Sequence, residues 1–186
     1  MRGWMVIVLV LAACKSDSKE STKGAPAAAP APAPTPTETA AAGCKSVAVC
    51  DVMPLAQVNS TLGATLGVAQ PRNGTDGSRL ADSCTYKTSD SRQIVQIERI
   101  CIPDAAEAKM IYDAKVGEQP QPGQTRKDVA IGDKAVYIVD PSAHRIDMTV
   151  VRGNVLIAVT DDGVEAGKDG PAVAGMTELA KTLLAK

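Results

Sequence analysis

Aromatic side chains are almost missing from this chain: phenylalanine is absent, tryptophan occurs once, tyrosine three times, and the three together make up 2% of 186 residues. A core must therefore be built from Val, Ile, Leu, Ala and Met. Long apolar runs are missing too. The longest, residues 4–13, is ten residues, whereas a helix needs about 20 to cross the hydrocarbon of a bilayer. A basic excess is also lacking. The first 43 residues hold four basic and three acidic groups, leaving 16 basic and 18 acidic beyond them. A slightly acidic domain without a basic stripe argues against nucleic acid as a partner, and it offers no electrostatic contact to a membrane surface. Gly-rich phosphate loops do not occur, neither G-x-G-x-x-G nor G-x-x-x-x-G-K. C-x-x-C is absent, so neither a thioredoxin-type redox pair nor a zinc ribbon is expected. There is a single histidine, His144.

What is present begins at the amino end. Arg2 supplies a positive start, residues 5–12 an apolar stretch of the length of a signal peptide, and Leu11-Ala12-Ala13-Cys14 closes it with small residues before a cysteine. This pattern resembles the lipobox of bacterial lipoproteins. The resemblance implies that the signal ends at residue 14, that Cys14 receives a diacylglycerol and a further acyl chain of the palmitate type, and that the rest of the chain is exported and membrane-anchored. Two or more acyl chains hold firmly where one holds only marginally. Lys15 rather than Asp follows the cysteine, which in a Gram-negative cell implies the outer membrane.

Residues 15–43 start polar and become rich in Ala and Pro, most densely in Pro30-Ala31-Pro32-Ala33-Pro34-Thr35-Pro36. Alternating prolines remove backbone donors and fix φ, which excludes helix and sheet. A disordered, semi-rigid spacer of polyproline character is expected.

Residues 44–186 are long enough for one domain with its own core. Their pattern predicts α-ββ-α-βββ-α. A helix over about 53–66 carries Leu55, Val58, Leu62 and Leu66 on one stripe, and 70–78 reads as an exposed loop. Strands follow over 80–88 and 93–102. A helix from Asp104 to about Val116 opens on a D-x-x-E pattern with Glu107. Strands are expected over 135–139, 146–151 and 155–160, the last two joined by a Gly153-Asn154 turn, and a final helix over 171–185. Hairpin connections dominate, so the expected class is α+β, an antiparallel sheet with helices mainly on one face.

Beyond Cys14 four cysteines remain, Cys44, Cys50, Cys84 and Cys101. An even number in an exported chain reads as two disulfides, with three possible pairings. Cys50 with Cys84 and Cys44 with Cys101 is favoured, because each pair ties the start of the first helix to the hairpin beside it. On the chain-entropy account each contributes about 3–4 kcal/mol.

No catalytic or metal-binding constellation stands out. Ser142, His144 and Asp147 share one turn and strand and lack a nucleophile elbow. Asp161, Asp162, Glu165 and Asp169 gather carboxylates in one loop, but the spacing departs from an EF-hand. No cofactor and no metal are expected.

Cys50, a helix through Thr61-Leu62-Gly63, the Cys84-Thr85-Tyr86 strand, and Val129-Ala130-Ile131-Gly132-Asp133-Lys134-Ala135 together resemble small exported lipoproteins of uncharacterised families, which have a cysteine before a Leu-Gly helix, a Cys-x-Tyr strand and a Gly-Asp-x-Ala step. The resemblance implies an extracytoplasmic α+β module without known catalysis and a Cys50–Cys84 bond. The functional expectation is a non-catalytic envelope lipoprotein that binds a protein, glycan or lipid. The alternatives are a carrier with an aliphatic cavity between sheet and helices, and a metal-dependent hydrolase using the 161–169 carboxylates with His144.

Overall fold

The structure, a computed structural model, describes residues 44–186 except 77, 118–119 and 165–167. Cys14, the lipobox and the 15–43 spacer lie outside the described residues, as does Glu165.

Four helices accompany one seven-stranded sheet: α1 (Val49–Val52), α2 (Leu55–Leu62), β1 (Val68–Asp76), β2 (Arg79–Lys87), β3 (Ile94–Cys101), α3 (Ala105–Gly117), β4 (Thr125–Asp128), β5 (Lys134–Asp140), β6 (Arg145–Arg152), β7 (Val155–Asp162) and α4 (Asp169–Leu184). The strand order is β1-β2-β3-β7-β6-β5-β4, and every pairing is antiparallel. The α+β class with an antiparallel sheet is as the sequence predicts.

The order of elements differs from the expected one in three places, each with a local cause. The helix expected over 53–66 is two short helices, broken before Pro54 and stopped at Gly63, which takes a left-handed φ of 64°. Leu66 still reaches the core, but from extended chain. The Asn59 side chain holds it there, receiving the Leu66 N–H at 2.7 Å and donating to the Leu66 carbonyl at 2.9 Å. The 70–78 loop is instead the edge strand β1, in register with β2 from Val68↔Lys87 to Asp76↔Arg79. Pro71 is tolerated because an edge strand needs only half its backbone donors. The short strand β4 at the other edge was also not expected.

Side-chain alternation divides the sheet into two faces. Tyr86, Val95, Ile97, Ile146, Met148, Val150, Ile157 and Val159 lie on one, packed with Val49, Met53 and Val58 and with Met176, Leu179 and Leu183 of α4. On the other, α3 lays Ala108, Tyr112 and Val116 over Val136, Val151 and Leu156. Three helices thus cover one face and α3 part of the opposite one. The α2 and α4 helices approach closely because Gly175 has no side chain: a Cβ there would stand 2.6 Å from the Thr61 carbonyl oxygen. Gly132 plays the same part in the Gly-Asp-x-Ala step. Its φ is 61°, a Cβ would meet the Val151 oxygen at 2.6 Å, and the neighbouring Asp133 carboxylate accepts the Gly153 N–H at 2.7 Å, fixing the β6–β7 turn.

The segment leading into α1 is fastened to the covered face. Disulfides join Cys44 to Cys101 and Cys50 to Cys84. Between them the buried Asp82 carboxylate accepts the Ser46 hydroxyl at 2.9 Å and the Val47 N–H at 2.8 Å. Buried Arg99, Asp82's cross-strand partner, donates to the Lys45 carbonyl at 3.0 Å. Burial pulls the Arg99 pKa down, and the Asp82 charge opposes that shift. Beyond the second disulfide the fully buried Tyr86 hydroxyl donates to the Met53 carbonyl, at the break between α1 and α2. Desolvation pushes its pKa up to about 12, so the phenol remains a donor through the alkaline range. Replacing Tyr86 by Phe keeps the ring and strands that carbonyl; denaturant titration is expected to show a loss of about 1–3 kcal/mol, and a loss below about 0.5 kcal/mol would contradict this role.

Candidate functional site: an open polar sheet face

Three rows of cross-strand neighbours cross the face that α3 occupies. The row under the helix is Ala81, Ile100, Leu156 and Val151. The next is Ser83, Glu98, Ala158, Thr149 and Val136, and the one beyond it Thr85, Gln96, Thr160, Asp147 and Ile138. The face therefore changes from aliphatic to polar within two residues along each strand. The aliphatic row is what α3 needs. The polar rows are left half-buried, forming a trough of about 400 Å³ with Lys115 and Val116 of α3 on one bank. It continues toward β1 into a smaller recess bounded by Arg72, Ser83, Gln96 and Glu98.

One charged network organises the β6–β7 side of the trough. The Arg145 guanidinium donates twice to Asp147, at 2.7 and 2.9 Å, and lies 3.6 Å from Asp162. The Thr160 hydroxyl donates to Asp147 at 2.7 Å. The Asp147 side-chain hydrogen bonds raise the Arg145 pKa. The other polar side chains of the trough floor are Gln96, Glu98 and Thr149, beside Ala158, Val136 and Ile138. This floor can hydrogen-bond an extended or flat polar ligand, and its lack of aromatics removes stacking as a mode of recognition.

The carboxylates of the 161–169 stretch are not brought together. Asp161 and Asp162 are consecutive residues of a strand and point to opposite faces: Asp161 is 1% exposed on the helix-covered side, while Asp162 joins Arg145 on the open one. His144 sits at the exposed β5–β6 turn with a φ of 52°, and it is its carbonyl that engages the stretch, accepting the N–H groups of Gly163 and Val164 at 2.8 and 3.0 Å. The Ser142 hydroxyl is turned to Asp140 at 2.6 Å, away from His144. Among the described residues no group of three His, Cys, Asp or Glu is placed to hold a metal ion. The space between sheet and helices, where a carrier would keep its cavity, is filled by Met53, Tyr86, Met148, Met176 and Leu179, all at most 1% exposed. All four cysteines beyond the spacer lie in the two disulfides.

Asp161, expected with its neighbours in an exposed acidic loop, is instead a buried residue of the sheet, and the alternation of Ile157, Val159 and Asp161 along β7 contains the signal for that placement. It is flanked in the sheet by Val95 and Ile146. Its two oxygens accept from the Gln93 amide at 3.0 and 3.3 Å. Burial pushes its pKa up to about 6; the Gln93 hydrogen bond lowers it, and Asp162 adds a smaller upward push. A carboxyl whose pKa is raised in the folded state keeps its proton while the unfolded chain releases one. Its contribution is thus most favourable below pH 4 and is lost as the pH rises toward 6. Asp161→Asn removes that loss. The expected result is a variant more stable than the parent at pH 7.5 by about 1–3 kcal/mol, with the advantage vanishing near pH 4 in thermal melts at both values; a variant less stable at pH 7.5 would contradict it.

No protein-family model and no curated protein matches the chain. Among solved structures it is similar to the extracellular domain of PknH from Mycobacterium tuberculosis, with 12% identity and a TM-score of 0.42 over 69% of this chain and 92% of that one. It is also similar to a GTP-binding regulator from Thermotoga maritima, with 16% identity and a TM-score of 0.32 over 69% of this chain and 83% of that one.

Proposed function

We propose that the chain is a lipid-anchored binding module of the bacterial cell envelope, exported by its signal, held through acylated Cys14, and spaced from the membrane by residues 15–43. In a Gram-negative cell the anchor is in the outer membrane. The module carries no catalysis and engages an envelope protein or glycan through the open sheet face. One observation carries this reading: the aliphatic row under α3 gives way to mostly polar rows, which form a trough that the described residues leave open. The two disulfides support a location outside the reducing cytoplasm.

Two measurements test the proposal. Mass spectrometry of the mature protein is expected to find Cys14 at the amino terminus carrying acyl chains, and Cys14→Ala to move the protein from the membrane to the soluble fraction. A photo-crosslinking residue at Gln96 or Thr149 of the anchored protein is expected to capture one defined envelope component saturably, whereas the same residue at Lys181 on the outer side of α4 captures none. Equal labelling from the two surfaces, or none from the trough, would overturn the open face as the binding surface.

A further inference from the structure

A second recess, of about 630 Å³, lies at the far end of the covered face, away from the trough. Its walls come from the end of α2 around Gly63, the β2–β3 turn with Asp90, Arg92 and Gln93, and the start of α4 from Lys168, while Asp161 closes it from below. The turn is held tight against the end of β7: a Cβ on Gly163, whose φ is 91°, would stand 2.0 Å from the Arg92 carbonyl oxygen. Asp161 is the only acidic group of this wall that is buried, and among the described residues no cation stands within ion-pair distance of it. Among the described residues its oxygens accept from one neutral amide, that of Gln93, which is itself a half-buried wall residue.

A buried carboxylate ordinarily has a cation or several backbone N–H groups as compensation. Here the donor is the neutral Gln93 NH2, and Gln93 and Asp161 both line the recess. We propose that this recess receives the primary ammonium group of a small organic ligand, with Asp161 as its counter-charge once the Gln93 side chain swings aside. An ammonium supplies the charge-assisted hydrogen bonds that the amide lacks. The neighbouring charges are paired or turned away from Asp161. Asp90 is paired with Arg92 at 3.1 Å, Asp162 faces the other side of the sheet beside Arg145, and His144 lies on the outer turn with its carbonyl toward Gly163.

Calorimetric titration of the full-length protein with 4-aminobutyrate, butylamine and butyrate tests this. At pH 7.5 the two amines are expected to bind saturably and butyrate to give no signal. Protonation of Asp161 cancels its counter-charge, so binding is expected to weaken at least tenfold at pH 5. Asp161→Asn is expected to weaken it at least tenfold at pH 7.5 while melting no lower than the parent, which separates lost binding from lost folding. Gln93→Ala, which removes the competing amide, is expected to strengthen it. The proposal is overturned by butyrate binding as well as the amines, by an Asp161→Asn variant that binds unchanged, or by no saturable binding of either amine to the parent or to Gln93→Ala. None of these outcomes bears on the open face, whose test is read at other residues.

Discussion

The fold depends on a covalent constraint at the point where the domain begins. Residues 44–53 contain one very short helix, whose Val49 and the following Met53 are buried in the core. Two disulfides add covalent ties to the sheet, one to the end of β3 and one to the middle of β2. Their sequence separations, 57 and 34 residues, mean that each closes a long loop of the unfolded chain, the case in which cross-linking removes most chain entropy. The polar bonds between them have a consequence of their own. Asp82 and Arg99 are neighbours on β2 and β3, and each is buried only because the 45–47 backbone lies across it. Opening either disulfide would loosen that backbone and weaken its hydrogen bonds to both charged groups, so the covalent and electrostatic constraints act together.

With that segment fixed, the two faces of the sheet take different roles. The covered face has to accept α1, α2 and α4, and its buried side chains are uncharged except at Asp82, Arg99 and Asp161. The first two are answered by residues 45–47. Asp161, at the other end of the same face, is answered only by Gln93. The open face reverses the proportion: one aliphatic row serves α3, and the remainder is polar. No aromatic ring contributes to either of its polar rows, which follows from a chain with three tyrosines and no tryptophan beyond residue 4. Recognition there has to come from hydrogen bonds and charge, whose geometry is set by strand register.

Much of this was legible in the sequence, and what was not has a common cause. The strand at Ile146, Met148 and Val150 and the tight turn at Gly153-Asn154 are encoded by local alternation and turn chemistry, and the antiparallel α+β class follows from them. The edge strands β1 and β4 carry no such code. Every residue from Val68 to Thr75 is exposed, so no alternation of apolar and polar residues marks β1, and only the partner β2 makes it a strand. The end of α2 misled for the opposite reason: Leu66 continues the helical stripe in sequence, but Gly63 turns the chain and Asn59 returns Leu66 to the core by a different route. The site followed the same logic. A cluster of acidic letters at 161–169 suggested shared chemistry, yet a strand sends consecutive residues to opposite faces, and that parity splits Asp161 from Asp162.

Register also fixes where the two ends of the domain lie. Cys101 pairs with Val155 and Ile94 with Asp162, so along β3 and β7 the stapled end and the Asp161 end are separated by the full strand, about 23 Å at 3.3 Å per residue. The chain enters beside Cys101 and Asn154, whose side-chain amide lies 3.6 Å from the Cys101 sulfur. A load applied at residue 44 therefore acts on the end closed by covalent bonds, while the recess is bounded at the opposite end by turns and helix termini that the described residues hold by hydrogen bonds and packing.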